Sequence, residues 1–289
     1  MSKETTPEDI RRILLKEKGP FKPDDFALDM GVGVGSVEEA MAELSEAGYE
    51  FTRINGFWMR TKNRPENGDV DLSRLFERHF KMGIVSDTHL SSKKERVEEL
   101  EAMYDIFSSE GVGVVFHVGD ITEGVNVYRG QEFEVKHLGQ DEQIDYATRV
   151  YPERARMTTY FITGNHDLRG YERGGVDPGK PIARERQDLV YLGQMTSKVN
   201  IHGVGLEMLH PDGNVAYALS YKAQRDINNR SPKDVPDILL YGHYHTAFYM
   251  HYRDVDFLQV PCFKDAGLWE KRKGLNPVVG GWLVEGQLS

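Results

Sequence analysis

Met82-Gly83-Ile84-Val85-Ser86-Asp87-Thr88-His89-Leu90 is an apolar run that ends abruptly in a polar cluster. Four further runs end the same way. Val114–Val118 leads to Gly119-Asp120, and Thr159–Ile162 to Thr163-Gly164-Asn165-His166-Asp167. Ile238–Tyr241 leads to Gly242-His243-Tyr244-His245, and Gly205–Leu209 delivers His210 before the turn Pro211-Asp212-Gly213. Short apolar runs alternating with helical stretches predict an α/β domain, and in such sheets ligands bind in the loops beyond the strand ends. Asp, His and Asn at those ends offer oxygen and nitrogen to divalent metals. Asp87 with His89, and His243 with His245, are spaced two apart, which in extended chain puts both side chains on one side. Gly119, Gly164 and Gly242 leave room where the backbone turns beside them.

Taken in order, Asp87-x-His89, Gly119-Asp120, Gly164-Asn165-His166-Asp167, His210 and Gly242-His243-x-His245 resemble the fingerprint of calcineurin-like metallophosphoesterases, over roughly residues 80–289. The resemblance implies an α/β fold, that family's α/β/β/α sandwich. It also implies two divalent metal ions, manganese first, with iron, zinc or nickel as the other candidates. By the resemblance, Asp87, His89, Asp120 and His245 hold one metal. Asp120, Asn165, His210 and His243 hold the second, with Asp120 bridging. Such ions, about 3.5–4 Å apart, would keep a hydroxide between them for in-line attack on a phosphate. His166 stands where it would protonate the leaving oxygen or stabilise the phosphoryl charge, and Asp167 is expected to orient it through a hydrogen bond. His210 ends an apolar run and is preferred to His202, which precedes one. His117 lies inside a strand and reads as a core histidine. His79, His137 and His251 have no motif around them.

The substrate is less legible. The second motif continues Ile121-Thr122-Glu123-Gly124 and the third ends in Asp167, and both depart from the protein phosphatases of the resembled family. The Gly-Asn-His-Asp form is shared by its nucleases and many small-molecule phosphodiesterases, and Ser86–Leu90 is similar to the opening of its double-strand-break repair nucleases. Those carry a DNA-capping domain after the last histidine motif, whereas residues 246–289 alone follow here. The expectation is a phosphodiesterase of nucleic acid, DNA before RNA. The alternative is a phosphoesterase of nucleotides or other small phosphate esters, and a non-catalytic binding module is the third reading. Two insertions supply candidate substrate contacts. Residues 122–152 carry Arg129, and the Gly-rich stretch 168–187 carries the cations Arg169, Arg173, Lys180, Arg184 and Arg186 with Tyr171 among them, which suits a polyanion with an aromatic for stacking.

Residues 1–64 read as a separate small domain, with residues 65–79 as a linker and 80–289 as the catalytic domain. Thr6 caps a helix opening with Pro7, with Ile10, Ile13 and Leu14 on one face. Pro23 opens a second helix, and Ser36 with Glu39 forms a capping box for a third. The runs 49–54 and 57–61 flank Asn55-Gly56, a hairpin turn. This order resembles a winged helix-turn-helix. The third helix carries Glu38, Glu39, Glu43 and Glu46 without Lys or Arg, which speaks against groove reading. The hairpin side, with Arg53, Arg60, Lys62 and Arg64, is left open between nucleic acid and a protein partner.

Composition sets the outer bounds. Lys and Arg number 36 against 46 Asp and Glu, a formal charge of −10, which speaks against coating nucleic acid through a broad basic surface. The single cysteine, Cys262, excludes an internal disulfide or a thiolate zinc cluster. No apolar run approaches the ~18–20 residues of a bilayer span, and the start lacks an apolar secretory core, so a cytoplasmic location is expected.

Overall fold

The computed structural model describes residues 6–14, 21–46, 50–54, 57–61, 70–172 and 174–287. The Asn55-Gly56 turn, Lys62, Arg64, residues 65–69 of the expected linker and Arg173 lie outside the described residues. The chain forms two compact units, one of residues 1–66 with 226–235 and one of 67–225 with 236–289.

In the first unit, helices α1 (Pro7–Leu14), α2 (Pro23–Met30) and α3 (Val34–Glu46) precede strands β1 (Glu50–Ile54) and β2 (Phe57–Thr61), which pair antiparallel. Thr6 and Asp9 cap α1 reciprocally: Asp9 N–H donates to Thr6 Oγ1 and Thr6 N–H to Asp9 Oδ2, each at 3.2 Å. Gly31 closes α2 in the left-handed region, its N–H donating to Leu28 O. Ile10, Leu14, Phe26, Val37, Ala40 and Met41 form the buried core. Ile13, expected beside them, is exposed. The third helix starts at Val34, two residues before the expected Ser36 cap.

The second unit contains β3 (Val70–Asp71), β4 (His79–Val85), α4 (Val97–Ser109), β5 (Val114–Val118), α5 (Gln140–Val150), β6 (Thr158–Thr163), α6 (Asn165–Tyr171) and α7 (Gly179–Glu185). It continues with β7 (Leu189–Gln194), β8 (Thr196–Ile201), β9 (Val204–Leu209), β10 (Ile238–Tyr241), β11 (Phe248–Tyr252), β12 (Val255–Gln259), α9 (Leu268–Lys273) and β13 (Trp282–Gln287). One more helix, α8 (Leu219–Asn229), spans the boundary between the unit ranges.

Two sheets result. One runs β13-β4-β5-β6-β7, with β4 to β7 parallel and β13 antiparallel on the edge. The other runs β11-β12-β10-β9-β8-β3, with β10 parallel to both β9 and β12. Period-two alternation decides which core each side chain joins. Ile84, Val114, Phe116 and Val118 meet Leu206, Met208, Leu240 and Leu258 between the sheets. Val85, Val115 and Phe161 turn the other way and meet Leu100, Tyr104, Ile144 and Ile182 from the helices. This is a mixed α/β sandwich. All five residues of β5 are buried, as a central parallel strand covered on both faces requires.

Two expectations are corrected. The second half of the expected linker is part of the sandwich, because Val70 pairs with Val199 and Leu72 and Phe76 are buried in the inter-sheet core. The stretch 168–187 is not a loop throughout, since residues 168–171 complete α6 and residues 179–185 form α7.

Candidate metal centre

The loops after β4, β5, β6, β9 and β10 leave the strands at the same end of the sandwich and bring their polar residues together. Asp87, His89, Asp120, His243 and His245 all have left-handed backbone, with φ of 51°, 44°, 55°, 74° and 54°. Side chains pay for that conformation in strain, which persists where the surroundings over-determine it. The pairs spaced two apart therefore converge through sharp turns and not through strand alternation, the reason expected from sequence. Asp87 N–H donates to Gly119 O at 2.9 Å, His89 N–H to Asp120 O at 3.0 Å, and His210 N–H to Met195 O at 2.7 Å. Gly119 sits at φ 89°, and a Cβ there would overlap the His210 ring; one on Gly164 would overlap Asp120 Oδ1.

Two groups of ligand atoms share this space. His245 Nε2 is 3.1 Å from Asp87 Oδ1 and 3.0 Å from His89 Nε2. His210 Nε2 is 3.1 Å from both Asp120 Oδ2 and Asn165 Oδ1, and His243 brings a ring nitrogen within 4.8 Å of the Asp120 and His210 atoms. Asp120 Oδ2 faces both groups, since it also lies 3.8 Å from His89 Nε2. It is buried and makes no hydrogen bond among the described residues. Metal–ligand bonds of about 2.0–2.2 Å place neighbouring ligand atoms ~3 Å apart, so the separations fit a coordinated divalent ion. Mixed imidazole, carboxylate and amide donors suit the same class of metal.

Carbonyl partners fix which ring nitrogen is offered, because a carbonyl only accepts. His210 donates Nδ1–H to Val118 O at 2.7 Å and presents Nε2. His243 donates Nε2–H to Gly213 O at 2.9 Å and presents Nδ1. His166 donates Nδ1–H to Glu123 O at 2.8 Å, leaving Nε2 free.

Asp167 does not meet the His166 ring as expected. Its carboxylate accepts from Ile121 N, Thr122 N, Thr122 Oγ1 and Gly164 N at 2.7–3.0 Å. It thereby clasps the loop carrying Asp120 to the turn carrying Asn165 and His166. Burial, with the Asp120 charge behind it, pushes the Asp167 carboxyl up to about 6.

The electrostatics oppose neighbouring groups. Burial would raise Asp87 and Asp120, yet His245 beside the first and His210 beside the second hold both well below the carboxylate range. Burial opposes a charge on His210, but Asp120 outweighs it and pushes the ring up to about 9. His89 and His243 are each driven down to about 4, chiefly by burial. A metal at His210 must displace that ring's proton at any pH below about 9. Manganese affinity should therefore weaken as pH falls, by ~10-fold per unit for this proton alone. Equilibrium dialysis at pH 8.5 and pH 6.5 should differ by about 100-fold or more.

The other histidines fall as expected: His117 is buried with Nε2 3.2 Å from Thr88 Oγ1, and His202 is taken by Phe76 O at 2.9 Å. A cleft of about 650 Å³ opens over the centre, with Asp120, Asn165, His166, His243 and His245 in its lining beside Tyr128, Tyr244 and Lys273. Arg129, Arg169 and Tyr171 are not among the lining residues. Arg129 and Tyr171 are exposed, and Arg169 pairs with Glu172 at 2.9 Å.

Two residues were passed over by the sequence reading. Glu123 is fully buried, and Lys264, 2% exposed, lies 3.2 Å from its Oε2 and 3.0 Å from Glu270 Oε1. An acid three residues after Asp120 was a faint signal for Glu123, whereas a lysine between Phe263 and Asp265 gave none. Lys264→Met would leave two carboxylates without their buried cation, and should cost about 3–5 kcal/mol in urea unfolding at neutral pH. Burial alone would raise Glu123, but Lys264 holds it below the carboxylate range, so this contribution is present above about pH 4.5 and is lost as pH falls below it.

A calcineurin-like phosphoesterase superfamily domain matches residues 80–261. The chain is 26% identical to the DNA polymerase II small subunit of Methanocaldococcus jannaschii, over 95% of this chain and 52% of that protein. It is 25% identical to the small subunit of the same name from Archaeoglobus fulgidus, over 76% of this chain and 53% of that protein. It thus spans about half the length of these curated relatives. Among solved structures, one described as a novel archaeal phosphodiesterase is 18% identical with a TM-score of 0.39, covering 63% of this chain and 84% of its own. No helix among the described residues is long and apolar enough to cross a membrane.

Proposed function

Since the chain belongs to the calcineurin-like phosphoesterase superfamily, a class of metal-dependent hydrolases, we propose that it is a dinuclear phosphodiesterase acting on nucleic acid, DNA before RNA. The observation that carries this reading is Asp120 Oδ2, buried and facing both ligand groups, with His166 beside it in the cleft lining. In this reading Asp87, His89, Asp120 and His245 hold one ion, and Asp120, Asn165, His210 and His243 the other, manganese in the first place. When bound, such ions supply Lewis-acid charge to the phosphate and to the attacking water.

The chain's own residues do the rest. Asp120 Oδ1 accepts the His166 N–H at 2.8 Å, so the bridging carboxylate also sets the backbone that carries His166. With Nδ1–H spent on Glu123 O, Nε2 is the atom that holds a proton for the leaving oxygen or meets the phosphoryl charge. The cleft walls receive the flanking parts of the substrate, with Lys273 for phosphate and Tyr128 and Tyr244 for stacking.

The name of the curated relatives, a DNA polymerase small subunit, supports DNA as the polymer and a larger protein as partner, with residues 1–64 as a winged-helix module for either. A second reading, hydrolysis of nucleotides or small esters with the N-terminal unit as a protein contact, is favoured by the exposed Glu38 and Glu39 of α3 and by the absence of Arg129 and Arg169 from the cleft lining. Incubation with manganese and labelled single-stranded DNA, double-stranded DNA and RNA, beside bis-p-nitrophenyl phosphate, separates the two. Polymer cleavage supports the first reading. Turnover of the generic diester or of mononucleotides without polymer cleavage sinks it.

A further inference from the structure

His89 Nε2 faces Asp87, Asp120 and His245, so whatever meets Nδ1 decides how firmly the ring presents its lone pair. Nδ1 lies 3.1 Å from Glu123 Oε2 without hydrogen-bond alignment, so two buried polar atoms face each other with no hydrogen bond to either among the described residues. Lys264 Nζ approaches the same carboxylate at 3.2 and 3.3 Å, and the Tyr128 hydroxyl lies 3.2 Å from Oε1 while donating at 2.9 Å to Glu134 Oε2. The backbone of Glu123 serves a second ring. Its carbonyl accepts from His166 Nδ1 at 2.8 Å and from Gln131 Nε2 at 3.0 Å, while its N–H donates to Leu90 O at 2.9 Å. One residue thus meets a candidate metal ligand through its side chain and the candidate proton donor through its main chain. Stability gives little reason to bury these charges, because a buried ion pair is commonly matched or bettered by apolar side chains of similar size.

The geometry points to Glu123 and Lys264 as positioning residues of the metal centre: Glu123 orients the His89 ring toward the ion it binds, and Lys264 holds the Glu123 carboxylate against that ring. The inference rests on the reading that the site holds metal. A carboxylate on Nδ1–H fixes the tautomer, aims Nε2 and strengthens it as a donor. Lys264 carries the arrangement to α9, where Glu270 accepts its third contact in the wall of the cleft.

Equilibrium dialysis of the full chain against manganese tests this without a substrate. Glu123→Gln keeps the side-chain shape and removes the charge, and should raise the Kd of one ion ~10–100-fold while the other stays within about twofold. Lys264→Met should raise it as well. Where that variant fails to fold, Glu123→Gln combined with Lys264→Met removes one of the two carboxylate charges left without a cation, that of Glu270 remaining. The double variant should regain part of its urea midpoint and still bind manganese weakly. A purely structural pair predicts the reverse, a shifted midpoint with the metal affinity of the folded protein unchanged. The inference is overturned by a Glu123→Gln Kd within about twofold of wild type, or by a double variant whose affinity returns with its stability. A wild type that binds two ions but hydrolyses no ester would sink the proposed function alone. A wild type that binds none would sink both.

Discussion

Asp120→Ala should release manganese from both positions and lower phosphodiester turnover by at least ~1,000-fold, the equivalent of about 4 kcal/mol of charge stabilisation. No other carboxylate in the centre lies within 4 Å of histidine nitrogens from both groups among the described residues: Oδ2 is 3.1 Å from His210 and 3.8 Å from His89. On the proposed assignment, truncation would remove a ligand from each ion and leave His210 without the charge that raises it. The same change deletes the Oδ1 acceptor of the His166 N–H, so the proposed proton donor would lose that hold as well. Asp120→Asn is the gentler control. It preserves volume and the Oδ1 contact, and should still lose most of the bound metal because an amide is a weaker ligand than a shared carboxylate. Metal counted after dialysis, with far-UV circular dichroism to verify folding, gives the answer. Two ions retained in Asp120→Ala would rule out bridging by this residue.

His166→Ala should leave both ions in place and still lower turnover by about 10²–10⁴-fold on substrates with a poor leaving group. His166 lies in the cleft lining, and its Nδ1 is engaged with Glu123 O, so its contribution is made through Nε2. The size of the loss across substrates identifies the role. If Nε2–H protonates the leaving oxygen, bis-p-nitrophenyl phosphate, whose leaving group needs no proton, should lose far less than DNA or an alkyl ester. If the ring stabilises phosphoryl charge, both should lose alike. Loss of metal in this variant would instead place His166 among the ligands.

The strand ends were readable because each ligand sits directly after an apolar run, and a run of four to seven apolar residues in an α/β chain has few places to go but a buried strand. Asp87, Asp120, Asn165, His210 and His243 were therefore locatable from spacing together with the family resemblance. The reason for their convergence was not readable, since left-handed backbone at Asp87 and His89 depends on hydrogen bonds to Gly119 and Asp120 more than thirty residues away. Asp167 was misread for a similar cause. Sequence neighbours invite each other, yet its oxygens meet three donors on Ile121 and Thr122 and a fourth, the Gly164 N–H, in their own turn. Glycines misled in the stretch 168–187: a Cβ on Gly170 would fall 2.7 Å from the Gln140 side chain, so this glycine serves close packing against α5 and not an open loop. Arg186, one of the cations expected to meet substrate, is held by Asp188 at 2.7 Å and by the carbonyls of Thr148 and Tyr151. Glu123 and Lys264 are 141 residues apart, and nothing local marks such a pair.

The most direct test of the account is a count of manganese bound per folded chain as the metal is titrated, with turnover of a phosphodiester followed at each occupancy. Two ions per chain are expected, with turnover rising only as the second is bound. A single ion sufficient for full turnover, or turnover that persists after all metal is removed, would contradict it.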